Sequence, residues 1–444
     1  MKTPQLKNMN NRQIAIEIFL TAVESVKPDK LISRFVSVKG NILQIENHKI
    51  DLSAIKNIFV VGAGKASAMM ALALEMILDK RITAGHIVTK YDHSIPLKYI
   101  GTTEAGHPVP DENGLRGTEK VLSIVNNAGG DDIVICLISG GGSALLPDVP
   151  EGCTLDDLKA LSNALLKCGA NITQMNCIRK HLSVVKGGML AKAAYPARVI
   201  SLILSDVIGD PLDVIASGPT APDPSTFDEA VSIIEEFRIE NEIPGKILKL
   251  LQDGRDKKRP ETLKENDEIL LKTSNLIIGS NKLALKIARE KAESFGYESR
   301  IITNTLEGDV KDVAGYILDL IREAKDISDK KICLLLAGEP TVKVTGKGLG
   351  GRNQHLALIM SKMLKDIPEV TFLSGGTDGS DGPTDAAGAV IDSLTVRNAG
   401  VLKLDMEKYI ENNDSYNFFK QEGGLIITGP TQTNVMDLII TLIN

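Results

Sequence analysis

Residues 133–143 read IVICLISGGGS, and this stretch decides the fold. Six apolar residues end in three consecutive glycines flanked by Ser139 and Ser143. An apolar run this short and bounded by glycine reads as a buried strand of a parallel sheet. The event recurs along the chain. Residues 57–61 (NIFVV) run into Gly62-Ala63-Gly64-Lys65, and residues 199–204 (VISLIL) into Ser205-Asp206. Residues 332–336 (ICLLL) run into Ala337-Gly338-Glu339-Pro340-Thr341, and residues 370–373 (VTFL) into Ser374-Gly375-Gly376-Thr377-Asp378-Gly379. In open α/β sheets ligands bind just past the carboxyl ends of the strands. Glycine there lets backbone amides approach a phosphate. The pattern therefore points to an α/β enzyme for a phosphorylated or anionic ligand.

The chain has 444 residues, enough for two or three domains. With 51 basic against 57 acidic residues its net charge is −6, so nothing suggests a nucleic-acid or anionic membrane surface. The five cysteines (Cys136, Cys153, Cys168, Cys177, Cys333) form no C-x-x-C pair, which fits a reducing compartment. The first residues, MKTPQLKNMNNRQ, lack the apolar core of a signal peptide. No run of about 18 apolar residues occurs. These features lead us to expect a soluble, cytoplasmic α/β protein.

Apolar spacing predicts a helix over residues 11–27, ended by Pro28. Strand 57–61, a helix to about residue 79, a strand at Gly85–Thr89 and a loop containing Glu104–Asp111 follow. Residues 154–194 read as mainly helical, and Ser205 to Thr226, with four prolines, as a functional loop. The charged stretch 252–268 reads as a linker or surface excursion. Beyond it a second β-α-β-α-β series is expected: strand 275–278, a helix capped near Asn281 and closed by Gly296, strand 299–303, a helix from about Val310 and strand 332–336. A helix at 353–365, strand 370–373 and a strand near 425–427 close the pattern. The expected domains are 1–255 and 270–444.

Each motif has a functional and a plain reading. Gly62-Ala63-Gly64-Lys65-Ala66-Ser67 fails the Walker spacing, and Ser67 stands where a dinucleotide fingerprint needs glycine or alanine. It is either a phosphate site, with Lys65 and a helix N-terminus meeting the charge, or a tight turn with an exposed lysine. Ser139-Gly140-Gly141-Gly142-Ser143 fails the nucleophile-elbow spacing, because residue 145 is Leu, and reads as an anion-binding nest or a bare turn. Asp206, at a strand end, could hold Mg²⁺ or accept a hydroxyl proton, or could cap a turn. Four glycines and two cations in Gly346–Arg352 suggest a phosphate cradle, with Arg352 on a transferring phosphoryl. Otherwise that stretch is a hairpin tip with solvated charge. Asp378, in Gly375–Asp385, is a ligand or Mg²⁺ residue or part of an acidic turn. His107, between Gly106 and Pro108, reads as a loop-structuring residue.

Together these motifs resemble the glycerate 2-kinase family, whose C-terminal part is called the MOFRL domain. The resemblance is carried by Gly62–Ser67, Glu104–Asp111, Ser139–Leu146, Asn176–Arg179 with Lys186-Gly187-Gly188, Ser205–Asp210 with Ser217-Gly218-Pro219-Thr220, and Ser374–Gly388. It is most specific in the pairing of Gly338-Glu339-Pro340-Thr341 with Gly350-Gly351-Arg352-Asn353-Gln354. One departure is Gln432, where the family usually has glycine. The resemblance implies ATP- and Mg²⁺-dependent phosphorylation of D-glycerate at its 2-hydroxyl by a monomer or homodimer. It also implies a Rossmann-like N-terminal domain, a second α/β domain with its MOFRL region at about 330–440, and an active site in the cleft between them. Lys65, Asp206 and Arg352 match its catalytic positions. Gly62, Gly64, Ser139, Gly140, Gly141, Gly142, Ser143, Gly338, Glu339, Thr341, Gly350, Gly351, Asn353 and Asp378 would bind substrate or nucleotide, and Asp206 or Asp378 the metal. The rivals are an NAD(P)H-dependent hydroxypyruvate reductase, suggested by Gly62-x-Gly64 after a strand, and a non-catalytic nucleotide sensor.

Overall fold

A computed structural model describes residues 9–327 and 330–444. The first eight residues of the MKTPQLKNMNNRQ stretch read above lie outside the described residues. Contacts divide the chain into one unit at Leu31–Ile278 and another made of the residues up to Lys30 with Gly279–Asn444.

The Leu31–Ile278 unit begins with an antiparallel meander, β1 (Val36–Lys39), β2 (Ile42–Ile45) and β3 (His48–Asp51). Its main sheet holds β4 (Ile58–Ala63), β5 (Ala84–Lys90), β6 (Ile100–Ala105), β7 (Ile133–Ile138), β8 (Arg198–Leu204) and β9 (Thr273–Gly279), in the order β6-β5-β4-β7-β8-β9. The pairs β6–β5, β5–β4, β4–β7 and β7–β8 are parallel. β7 is buried at every position, as its unbroken apolar run requires of a central parallel strand. Val61, Val88, Cys136, Val199 and Ile203 join one core with Val121 and Val125 of the helix Glu112–Val125.

Two expectations change here. β6 lies inside the stretch read as a loop, because only Ile100 and Ala105 of its six residues are buried apolar. The 252–268 segment is no linker: Leu263 is buried, its amide bonds Gly187 O, and its carbonyl accepts the Asp223 amide.

The second unit's sheet runs β10-β11-β15-β12-β13-β14. Its strands are β10 (Glu298–Leu306), β11 (Ile332–Gly338), β12 (Val370–Gly376), β13 (Gly388–Asp392), β14 (Leu425–Ile426) and β15 (Asp437–Ile443). Only β10–β11 is parallel; β15 enters antiparallel between β11 and β12. The helix Asn11–Ser25 belongs to this unit. Arg12 bonds Asp392 at 2.8 Å and Glu422 at 2.9 Å, and Thr433 Oγ1 donates to Val26 O.

Candidate active site

The carboxyl ends of β4, β7 and β8 meet at the Ser139–Ser143 turn. Gly64 takes φ +139°, and its Cα lies so close to Ser139 that a Cβ would stand 2.0 Å from Ser139 Oγ. The loop after β4 is bonded shut: the Gly64 amide donates to Val88 O, Lys65 to Gly140 O and Ala66 to Ser139 Oγ. Amides 64–66 therefore have acceptors within the protein, so this turn offers its lysine side chain rather than a backbone nest. Gly62 serves strand packing, since a Cβ there would stand 2.0 Å from Leu137 O.

The next turn behaves differently. Its backbone bonding uses the amides of Ser139, Gly142, Ala144 and Leu145 and does not include those of Gly140, Gly141 and Ser143. The space left by the missing side chains is filled by chemistry. Asp206 Oδ2 lies 1.9 Å from where a Gly140 Cβ would stand. His107 Nε2 lies 2.9 Å, and Lys65 Cε 3.4 Å, from the same point at Gly141, which takes φ +83°. Burial, Lys65, Lys90 and His93 hold the His107 imidazole down to about 4, so it is neutral near pH 7.

The Ser205–Thr226 segment backs this turn. Asp210, Ala216 and Ser217 all take positive φ, as does Gly218. Ala216 packs on Gly142, and Ser217 Oγ bonds Ser143 Oγ at 2.8 Å. Buried Lys186 donates to Leu146 O at 2.8 Å, and the amides of Gly187 and Gly188 bond the carbonyls of Ser217 and Gly218. Three non-glycine residues in the left-handed region cost of order 1–3 kcal/mol each, a load sustained only where surrounding bonds over-determine the backbone.

In the other unit Arg352 is already matched. It donates to Asp437 through Nε (2.6 Å) and Nη2 (3.1 Å) and to Glu339 through Nη1 (2.7 Å). Three of its five N–H donors are thereby used, leaving two. Both carboxylates lift the guanidinium above its ordinary range, while burial pushes the Asp437 carboxyl up. Glu339 follows Gly338, whose Cα rests on Leu306, and Thr341 bonds Gly308 through its amide.

The expected cradle at Gly346–Gly351 is filled by protein. The amides of Thr345 and Gly346 donate to Asn413 Oδ1, Lys347 to Asn412 Oδ1, Gly348 to Asn412 O and Leu349 to Asp414 Oδ1. A Cβ at Gly350 would stand 2.2 Å from Ser415 Oγ, and one at Gly351 2.2 Å from Asp381 Oδ1. That Asp381 carboxylate caps the helix Arg352–Met363 through the amides of Asn353 and Gln354. Asn353 is buried, bonding Asp381 and Ser374. Asp378 is exposed, and its carboxylate accepts the Ser380 amide.

Sequence reasoning thus placed Lys65, Asp206 and the Ser139–Ser143 turn together but missed three residues. His107 was read as loop-structuring, Asp381 stood within the Gly375–Asp385 motif without an assigned role, and Asp437 carried no motif. Among the described residues no group of three or more His, Cys, Asp and Glu forms a metal cage. No described helix is long and apolar enough to cross a membrane. A cavity of about 720 Å³ along β6, lined by Tyr91, Pro96, Thr103, Glu104 and Asn113, includes neither Lys65 nor Asp206. Its lining lacks the convergence seen at Gly140–Gly141.

A profile described as a domain of unknown function, DUF4147, matches residues 14–252, and the MOFRL family profile matches residues 332–437. The D-glycerate 2-kinase of Thermotoga maritima is 40% identical over 97% of this chain and 98% of its own. A provisionally named hydroxypyruvate reductase of Agrobacterium vitis is 37% identical over 98% of this chain and 95% of its own. The crystal structure of glycerate kinase from Thermotoga maritima superposes with a TM-score of 0.87 at 39% identity, covering 98% of this chain and 99% of that one.

Proposed function

The chain belongs to the glycerate kinase family, and from that premise we propose that it transfers the γ-phosphoryl of ATP to the 2-hydroxyl of D-glycerate, giving 2-phosphoglycerate and ADP. The observation that carries this reading is the convergence of Lys65 and Asp206 on Gly140 and Gly141, at the carboxyl ends of parallel strands. Phosphoryl transfer asks a protein mainly for positioning and charge stabilisation. Lys65 meets substrate or phosphate charge. Arg352, held by Asp437 and carrying two unused N–H donors, has the chemistry suited to charge on a transferring phosphoryl.

Asp206 is suited to Mg²⁺, a hard cation commonly bound by one or two carboxylates together with substrate phosphates. The Asp206 carboxylate against Gly140 of the turn fits that mode, whereas an all-protein cage is not formed by the described residues. When bound, the ion would neutralise charge on the phosphate oxygens. The five free cysteines suit a reducing, cytoplasmic setting.

The reductase reading draws on the name of one relative. It fits this site less well. A dinucleotide pyrophosphate sits on the amides of the first strand-to-helix turn, and here amides 64–66 are bonded to protein.

The test is purified protein with Mg-ATP and D-glycerate, following ADP release and an enolase-coupled signal for 2-phosphoglycerate. Both signals are expected. ADP without an enolase-competent product moves the reaction to the other hydroxyl. No ADP overturns the reading and brings NADH oxidation with hydroxypyruvate forward.

A further inference from the structure

The assignments above leave His107 unused. Its ring edge lies against Gly141, beside the Lys65 side chain, on the turn whose neighbouring residue Gly140 carries Asp206. Among the described residues its ring nitrogens have no hydrogen-bond partner. The groups facing it are Lys65 from the turn after β4, and Lys90 and His93 from the end of β5 and the segment beyond it. From its own loop comes Asp111, which packs on Gly106. A half-buried neutral imidazole with an open nitrogen, at the point where two other reactive groups meet, is more than loop structure requires.

The geometry points to His107 as the general base of the transfer, taking the proton of the substrate hydroxyl at Nε2 as that oxygen bonds to the γ-phosphorus. The O–H bond breaks and its proton passes to the imidazole. The hydroxyl oxygen forms the new P–O bond. The bond from the γ-phosphorus to the β–γ bridging oxygen breaks, and ADP leaves with that electron pair. The imidazolium releases its proton to water after the product departs. Asp206 is thereby left to the metal and phosphates.

The basic neighbours give this arrangement a sense. In the free protein they keep the imidazole unprotonated. Anionic phosphates and a carboxylate offset their charge on binding, which returns the imidazole's basicity toward the range where proton transfer is efficient. This inference rests on the kinase reading above and holds for either hydroxyl of glycerate.

The experiment compares wild type, His107→Ala and His107→Asn with Mg-ATP and D-glycerate. Folding is checked by thermal melting, and nucleotide binding by a non-hydrolysable ATP analogue. Both variants are expected to lose roughly 10²–10⁴ in kcat with the KM for ATP little changed. Added imidazole should restore part of the Ala variant's rate, the more so as pH rises through its own pKa. The Asn side chain can accept a hydrogen bond but not keep a proton. If Asn restores the rate, the role is positioning and the inference falls. An Ala variant with wild-type kcat also overturns it. If the Ala variant does not fold, the Asn variant and the wild-type pH profile decide. A wild-type kcat that stays flat from about pH 5 to 8 sinks the base. A wild type that releases no ADP overturns the kinase reading itself, and this inference with it. An active wild type with an equally active Ala variant overturns the base alone.

Discussion

At Ser139–Ser143 the room left by missing side chains is taken by Asp206, His107 and Lys65; at Gly346–Gly351 it is taken by Asn412, Asp414, Ser415 and Asp381. In the first turn the amides of Gly140, Gly141 and Ser143 stay outside its backbone bonding, while in the second every amide from Thr345 to Leu349 is consumed. Glycine reports that something approaches the backbone closely. It does not report whether that neighbour is chemistry or packing, and the identity of the neighbour is fixed by segments tens of residues away.

The contrast breaks most visibly at Gly140. A Cβ there would stand 1.9 Å from Asp206 Oδ2, so Gly140→Ala is expected to lose about 10³ in kcat/KM through the displaced carboxylate. A variant with wild-type kinetics would return this turn to plain structure. Lys65→Ala and Arg352→Ala come next, each costing at least roughly a hundredfold in kcat/KM. Near-normal kinetics in either one removes that residue from the mechanism.

On the other side of the comparison, Gly351→Ala meets both the carboxylate and the main chain of Asp381. It should destabilise by about 1–3 kcal/mol, read as a lowered denaturant midpoint. An unchanged midpoint with lost activity would make this second turn a ligand site after all.

Asp381 sharpens the contrast through pH. Chiefly by burial, its carboxyl is pushed up to about 6 from 3.8. The folded state then holds that proton more tightly than the unfolded chain does. The resulting stabilisation is complete below about pH 4 and disappears as pH rises through 6. Wild type should therefore lose stability relative to Asp381→Asn between pH 4 and 6, measured as denaturant midpoints of both proteins at each pH. Parallel midpoints would exonerate Asp381.

The smallest expected effect is at Gln432, exposed and at φ +63° where the family usually has glycine. Gln432→Gly should stabilise by up to about 1 kcal/mol, since the left-handed conformation costs a side-chain-bearing residue roughly 1–2 and glycine's looser unfolded chain returns part of it. A lower melting temperature would show that the side chain earns its place.

Much of the first unit was legible because β4, β7 and β8 each carry a predominantly apolar run that leads into a glycine- or acid-bearing turn. β6 was not, because an edge strand with polar faces has no apolar run to read. In the second unit the local series suggested continued parallel pairing. The central antiparallel β15 defeats that expectation because pairing partners are non-local, and its apolar run looks the same in either direction. Lys65 and Asp206 were visible through their strand ends. His107, Asp381 and Asp437 were not, since each acquires its role from a neighbour distant in sequence: Gly141, Gly351 and Arg352 respectively.

The helix Asn11–Ser25 and the strand β15 stand near opposite ends of the chain yet share one unit, with the helix's Arg12 tied to Asp392 and Glu422. During synthesis this sets an order. The Leu31–Ile278 unit emerges whole and can close while translation continues. The helix made before it must wait, its apolar face uncovered, until some four hundred further residues have left the ribosome and the middle strand of its own sheet arrives last. A nascent chain of this protein therefore carries an uncovered apolar helix for most of its synthesis.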